Sequence, residues 1–217
     1  MNRINDAQKN RIRTRLINGA RNYNKNLNNK VFLVLCDDGY ITSVSFSKMN
    51  FKHMSGVKSD LPDEDFYNHA LKGTLDLGNI LSDQKYDIST LKKKTTAIEG
   101  ISDVFYKDGN KVLLIDSLKT HTYTFPVALR NIQSKICVGF VGASHVARSL
   151  RKDTEQSLRD NEKRVLAIFE KINGNNLYDK IVYLSDVKKL YDKNNDFVNM
   201  LGGSVEYKLL EILTKPE

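Results

Sequence analysis

Residues 51–56 read Phe-Lys-His-Met-Ser-Gly and stand before a Pro-led acidic stretch. An imidazole exchanges a proton near neutral pH, a lysine attracts phosphate, and a glycine lets backbone approach a ligand closely. His53 is therefore a candidate acid or base, with Lys52 and Lys58 beside it and the backbone amides released at the turn as donors to an anion. The competing reading is local: His53 and Ser55 bond to neighbouring backbone groups while Phe51 and Met54 pack.

A second cluster lies near residue 150. In Ser-His-Val-Ala-Arg-Ser-Leu-Arg-Lys, the residues His145, Arg148, Ser149, Arg151 and Lys152 make a dense cationic segment suited to anion contact. His121 shares one strand face with Tyr123 and Phe125 by alternation, a face that either stacks RNA bases or packs. His69 belongs to a helix that already turns Phe66 inward, and reads as structural or solvated. Cleavage of RNA without a metal requires no more than such groups. A base takes the proton of the ribose 2′-hydroxyl, an acid protonates the leaving oxygen, and cations stabilise the phosphorane. No Walker-type glycine loop, paired zinc-ligand spacing or His-Glu-x-x-His occurs, so neither metal catalysis nor a cofactor is expected.

The charge balance agrees with an anionic partner. The 217 residues carry a formal net charge of +8, and every Lys or Arg set on a phosphate releases a counterion. The excess is concentrated in residues 1–29, where Arg3, Lys9, Arg11, Arg13, Arg15, Arg21 and Lys25 face Asp6 alone. Arg11 and Arg15 are the phosphate-contact candidates there; a solvated helix face is the alternative. Cys36 and Cys137 each sit inside an apolar run and read as buried thiols. No leader and no membrane-length apolar run is recognised, which places the chain in the cytoplasm.

The elements that must position these groups follow from periodicity. An amphipathic basic helix begins behind Asn5 or Asp6. Two strands flank Asp37-Asp38-Gly39, whose Asp-Gly pair supplies the positive φ of a tight hairpin. Pro62 to Lys72 is a short helix with an acidic start, closed by Gly73, and residues 87–100 form another. Extended runs are expected at Ser102–Tyr106, Lys111–Ile115, Thr120–Phe125 and Lys135–Val141, with a functional loop or short helix over 142–161. Residues 163–172 and 178–185 pair across the turn at Asn173-Gly174-Asn175-Asn176, and a last amphipathic helix closes the chain. The sum is α+β: N-terminal helices followed by a mostly antiparallel twisted β-sheet. It divides into a basic helical arm (1–29), an α+β domain (30–185) and a C-terminal helical extension (186–217).

Several of these stretches, Asn-Leu-Asn-Asn-Lys-Val-Phe-Leu-Val-Leu, the segment around His53-Met54-Ser55-Gly56, and Cys-Val-Gly-Phe-Val-Gly-Ala-Ser-His-Val-Ala-Arg-Ser-Leu, resemble the fourth type of the phage Barnase/EndoU/Colicin/RelE-like (BECR-like) nuclease group. The hallmark is an aromatic followed, after a gap, by His-Leu-Thr-Gly before a short helix; Met54 and Ser55 replace Leu and Thr and keep the hydroxyl. The resemblance spans about Lys30 to Ser185. It implies a metal-independent ribonuclease, a toxin or effector of phages and mobile elements acting on RNA. It carries His53 and Ser55 over as site residues, together with Cys137, Gly139, Phe140, Arg148 and Ser149. The expected mechanism uses His53 as acid or base, with Arg148 and Lys52 or Arg151 stabilising phosphate charge. The expected partners are RNA or a nucleoprotein complex, and a neutralising or host target protein. The alternative function is a non-catalytic effector that binds a host protein or nucleoprotein complex through the same basic surface.

Overall fold

The computed structural model describes residues 2–106, 111–120, 123–152, 161–193 and 196–214. Asn5 starts the first long helix through a capping box: its side chain accepts from the Gln8 amide while the Gln8 side chain accepts from the Asn5 amide, each at 2.9 Å. This helix, α1 (Asp6–Asn26), follows a two-residue strand, β1 (Asn2–Arg3). A hairpin of β2 (Lys30–Cys36) and β3 (Ile41–Ser45) comes next, turning at Gly39 with φ 88°. Helical pieces α2 (Phe51–Ser55), α3 (Asp63–Lys72), α4 (Ile88–Glu99) and α5 (Asp103–Tyr106) follow, with a short strand β4 (Asp83–Gln84) paired to β1. The strands β5 (Val112–Lys119), β6 (Thr124–Asn131), β7 (Ile136–Val141), β8 (Val146–Lys152), β9 (Glu162–Ile172) and β10 (Lys180–Leu184) precede α6 (Val187–Lys193) and α7 (Gly203–Thr214).

Eight strands form one sheet in the order β10-β9-β2-β3-β8-β7-β6-β5, and the sheet curls until β5 meets the N-terminal end of β9. Every pairing is antiparallel except that of β3 with β8, which is parallel and has a single register position, Ser45 opposite Val146. The fold is α+β. Alternation divides each strand between two layers. Phe32 and Val34 of β2, Val44 of β3 and Val138 of β7 face the helices in the main core, while Leu33, Leu35 and Phe169 meet Val205 and Leu209 of α7 on the other side. The basic segment 1–29 is largely α1, and its Leu16, Ala20 and Tyr23 are fully buried in the main core. Arg13 donates through Nε to the Leu75 carbonyl at 2.6 Å, so part of the positive charge caps loop backbone.

Three local expectations are corrected. Residues Asp103–Tyr106, read as extended, are helical, because Phe105 must stack on Phe32, with ring centroids 4.2 Å apart and planes 9° from parallel. The segment read as a loop or short helix from residue 142 contains β8, while 153–160 lie outside the described residues. The strand expected at Thr120–Phe125 starts at Thr124 and runs to Asn131.

The β3–β8 junction prepares the site. Beyond Ser45 the chain leaves the sheet, and among the described residues the edge of β8 facing β3 has no further strand partner. The departing chain turns into α2, and both α2 and α4 pack against β8 in the wedge so opened.

Candidate functional site

α2 is short but firmly seated. Phe51 and Met54, three residues apart, are fully buried, which turns His53 outward to solvent. Gly56 ends the helix in the left-handed region at φ 72°. Ser55 is fully buried; its hydroxyl donates to the Lys52 carbonyl at 2.7 Å and accepts from the Val57 amide at 3.2 Å. The Gly56 amide donates to the His53 carbonyl at 3.2 Å and the Lys58 amide to Gln84 Oε1 at 2.7 Å. The turn therefore does not present the free amides expected of a phosphate cradle, because those of Gly56 and Val57 close the helix end and that of Lys58 is taken by Gln84. Ser55 holds that end rather than facing a ligand.

His53 opens into a cleft of about 650 Å³ whose walls include Lys52, Gly56, Lys58, Asp83, Lys85 and Tyr86. Gln84, nearly buried, clamps the two sides together, since its amide nitrogen donates to the carbonyls of Lys58 and Leu81. Two of the lysines carry carboxylate partners. Lys52 pairs with Asp63 at 2.8 Å and also donates to the Leu61 carbonyl at 2.6 Å, and Lys58 pairs with Asp83 at 2.9 Å.

The less compensated charges come from farther along the chain. Partial burial lowers the His53 pKa below its ordinary value, followed by the charges of Arg148, Lys94 and Lys85, against a smaller opposite pull from Asp63. Lys94 is pushed down to about 8 by burial, then by Arg151 and Lys85. Its Nζ donates to the Leu150 carbonyl at 3.0 Å and lies 5.1 Å from the centre of the Tyr86 ring, with Lys85 Nζ 5.7 Å from the same ring. The Leu150 carbonyl belongs to the strand edge that β3 abandons, so Lys94 supplies there the donor that a neighbouring strand would have given.

Arg148 reaches this place through a bulge. Ser149 lies opposite Gly139 and Ala147 opposite Phe140, so β8 has one residue more than β7 across this step, and that residue is Arg148. Ala147 and Leu150 both fill the main core, and Arg148 between them is exposed.

The cationic segment 145–152 is thus divided by the fold. Arg148 and Arg151 act electrostatically on the His53 and Lys94 groups. His145 instead borders a separate cleft of about 530 Å³, with Nδ1 2.9 Å from Thr42 Oγ1. Ser149 is half-buried opposite Gly139, and Lys152 is exposed at the strand end opposite Ile136. On α1, Arg11 is exposed and Arg15 donates to the Lys92 carbonyl at 3.3 Å; neither lines the His53 cleft. His69 Nδ1 lies 3.0 Å from Thr74 Oγ1, and His121 falls outside the described residues. Cys36 and Cys137 are buried thiols, and among the described residues no group of three or more His, Cys, Asp or Glu is placed to hold a metal ion.

Sequence reasoning missed Lys94, Lys85 and Tyr86. A signal was present for the first. Leu91, Lys94 and Ile98 fall at helical spacing, and Leu91 and Ile98 are buried, so the third lysine of Lys92-Lys93-Lys94 belongs to the inward stripe.

A family model described as phage-Barnase-EndoU-ColicinE5/D-RelE like nuclease4 matches residues 15–197 of the chain. The match takes in α1 from Arg15 onward, the His53 segment, Lys94 and Arg148 together. No curated protein and no solved structure matches.

Proposed function

Because the chain belongs to the phage-Barnase-EndoU-ColicinE5/D-RelE like nuclease4 family, we propose that its nuclease-like role is RNA cleavage by attack of the ribose 2′-hydroxyl, with His53 as the base. The observation that carries this reading is the convergence on one solvent-open imidazole of Arg148, Lys94 and Lys85, from three separate stretches of chain. Such surroundings keep the imidazole neutral near pH 7 and able to accept a proton. The same cations attract the phosphate that brings the proton with it.

His53 takes the 2′-hydroxyl proton, O2′ forms a bond to phosphorus, and Arg148 and Lys85 balance the growing charge on the non-bridging oxygens. Breaking the P–O5′ bond leaves a 2′,3′-cyclic phosphate and a 5′-hydroxyl end. The chemistry restricts the substrate to RNA, because a 2′-deoxynucleotide has no internal nucleophile. Lys52 and Lys58, already paired with Asp63 and Asp83, contribute less to phosphate binding than their positions in the cleft imply. The finer setting, an effector or toxin of phages and mobile elements acting on host RNA in the cytoplasm, is part of the same proposal and is supported by the phage origin that the family description states.

The test is cleavage of a short RNA in EDTA by the wild type and by His53→Gln, beside the same oligonucleotide with one 2′-deoxy residue at the scissile position. Products ending in cyclic phosphate, made only by the wild type and only from the all-ribo substrate, support the reading. Binding of RNA that weakens steeply with salt, without turnover, would replace it with the non-catalytic alternative.

A further inference from the structure

Lys94 is held in a way that surface lysines are not. Its stem crosses Gly56, its Nζ is tied to the Leu150 carbonyl at 3.0 Å, and the Tyr86 ring flanks it at 5.1 Å. A Cβ on Gly56 would lie 2.5 Å from Lys94 Cδ, so the glycine of the His-Met-Ser-Gly stretch is the space through which this side chain passes. Gly56 and Tyr86 are both walls of the cleft that His53 enters.

We propose that Lys94 is the general acid of the reaction, donating a proton from Nζ to the departing O5′; this rests on the RNA-cleavage reading above. In the step, His53 receives the 2′-hydroxyl proton and the O2′–P bond forms. The P–O5′ bond breaks with its electron pair going to oxygen, and Lys94 delivers the proton that completes the 5′-hydroxyl. Lys94 ends neutral and His53 charged, and exchange with water restores both. The charged groups acting on Lys94 are Arg151 from β8 and Lys85 from the segment before α4, with the Tyr86 ring beside it, and Lys94 in turn acts together with Arg148 on His53 of α2. On the α1 side, Arg15 is engaged at the Lys92 carbonyl. Burial and the cationic neighbours Arg151 and Lys85 bring Lys94 down to about 8, while His53 is lowered from 6.5. Between these values the base is neutral and the acid protonated, as the chemistry requires.

A simple tether between α4 and β8 would explain the hydrogen bond to Leu150 equally well, and a leaving-group comparison separates the two roles. RNA has a poor leaving group that needs a proton; uridine 3′-(4-nitrophenyl phosphate) releases a stable phenolate that does not. Lys94→Met is expected to lose about 100-fold or more in kcat on RNA and only a small part of that on the nitrophenyl ester. Lys94→Arg keeps the charge but cannot donate at neutral pH, so it should restore KM for RNA without restoring kcat. The wild-type kcat/KM on RNA should fall on the alkaline side near pH 8, a limb absent with the nitrophenyl ester. Equal losses on both substrates, or full recovery of kcat by Lys94→Arg, would overturn the assignment while leaving RNA cleavage standing. If Lys94→Met does not fold, the alkaline limb of the wild type and the arginine variant decide alone. A wild type that cleaves neither substrate removes the ribonuclease reading and this assignment together.

Discussion

Lys94 passes over Gly56 so closely that a methyl group there would stand 2.5 Å from Lys94 Cδ and 3.3 Å from the Tyr86 ring. Gly56 also has φ 72°, where an L side chain is strained. Gly56→Ala should therefore cost about 1–2 kcal/mol from the backbone alone, and should reduce RNA cleavage beyond the loss of folded protein by displacing Lys94. Urea denaturation and turnover measured on one preparation check both halves; full activity per folded molecule would mean that Lys94 can move without consequence.

The environment of His53 predicts its titration. Its NMR midpoint should lie below the ordinary histidine value of 6.5, because burial and then Arg148, Lys94 and Lys85 disfavour the imidazolium. Arg148→Ala should raise that midpoint, and inorganic phosphate should raise it in the wild type by neutralising the same cations. The folded value is depressed, so the contribution of this group to stability is complete above pH 6.5 and is lost as pH falls through the folded value. A midpoint that ignores both Arg148 and phosphate would separate His53 from the cationic cluster.

Ser55 gives the opposite expectation. Its buried hydroxyl bonds Lys52 and Val57 backbone groups across the end of α2, so Ser55→Ala should destabilise by about 1–2 kcal/mol. RNA cleavage per folded molecule should stay within about twofold of wild type. A loss of tenfold or more with an unchanged melting curve would return Ser55 to the chemistry.

Glu170 anchors the far side of the main core. It is nearly buried, forms an ion pair with Lys30 at 2.8 Å, and accepts from the Tyr106 hydroxyl. Burial raises its pKa, but the hydrogen bonds from Lys30 and Tyr106 prevail, so the net shift is below the ordinary value of 4.5. Its stabilising contribution is present above pH 4.5 and is lost as pH falls through the folded value. Glu170→Ala strands the Lys30 charge, and a loss of about 3–5 kcal/mol in urea denaturation is expected. A change below about 1 kcal/mol would show that solvent reaches Lys30 easily.

What was legible in the sequence depended on how local its cause was. The Asp38-Gly39 turn, the helix start at Asn5 or Asp6 and the acidic start and glycine end of α3 are set by a few neighbouring residues; the structure puts the cap on Asn5 and forms the turn and α3 where turn and cap residues placed them. β8 was not legible, because the extra residue at Arg148 breaks the period of two on which strands are recognised. α5 was not legible either: Val104, Phe105 and Tyr106 have strand-type side chains, and only stacking on distant Phe32 fixes them as a helical turn. At the site, His53 and Arg148 were readable as types, whereas the separation of His145 from Arg148 follows from where β3 leaves β8. Lys94 was hidden in a lysine run whose inward member is fixed by the buried neighbours Leu91 and Ile98.

The position of β9 governs when the sheet can close during synthesis. This strand joins β2 on one edge and both β5 and β10 on the other, yet it is made long after β2 and after β5. Ribosomes extend a polypeptide at about 5–20 residues per second, so β2, already paired with β3, waits through the synthesis of everything between Ser45 and Glu162 for its second partner. Until β9 emerges the curled sheet stays unclosed. A product truncated before Glu162 therefore leaves β2 without its β9 partner and β5 with nothing to close against.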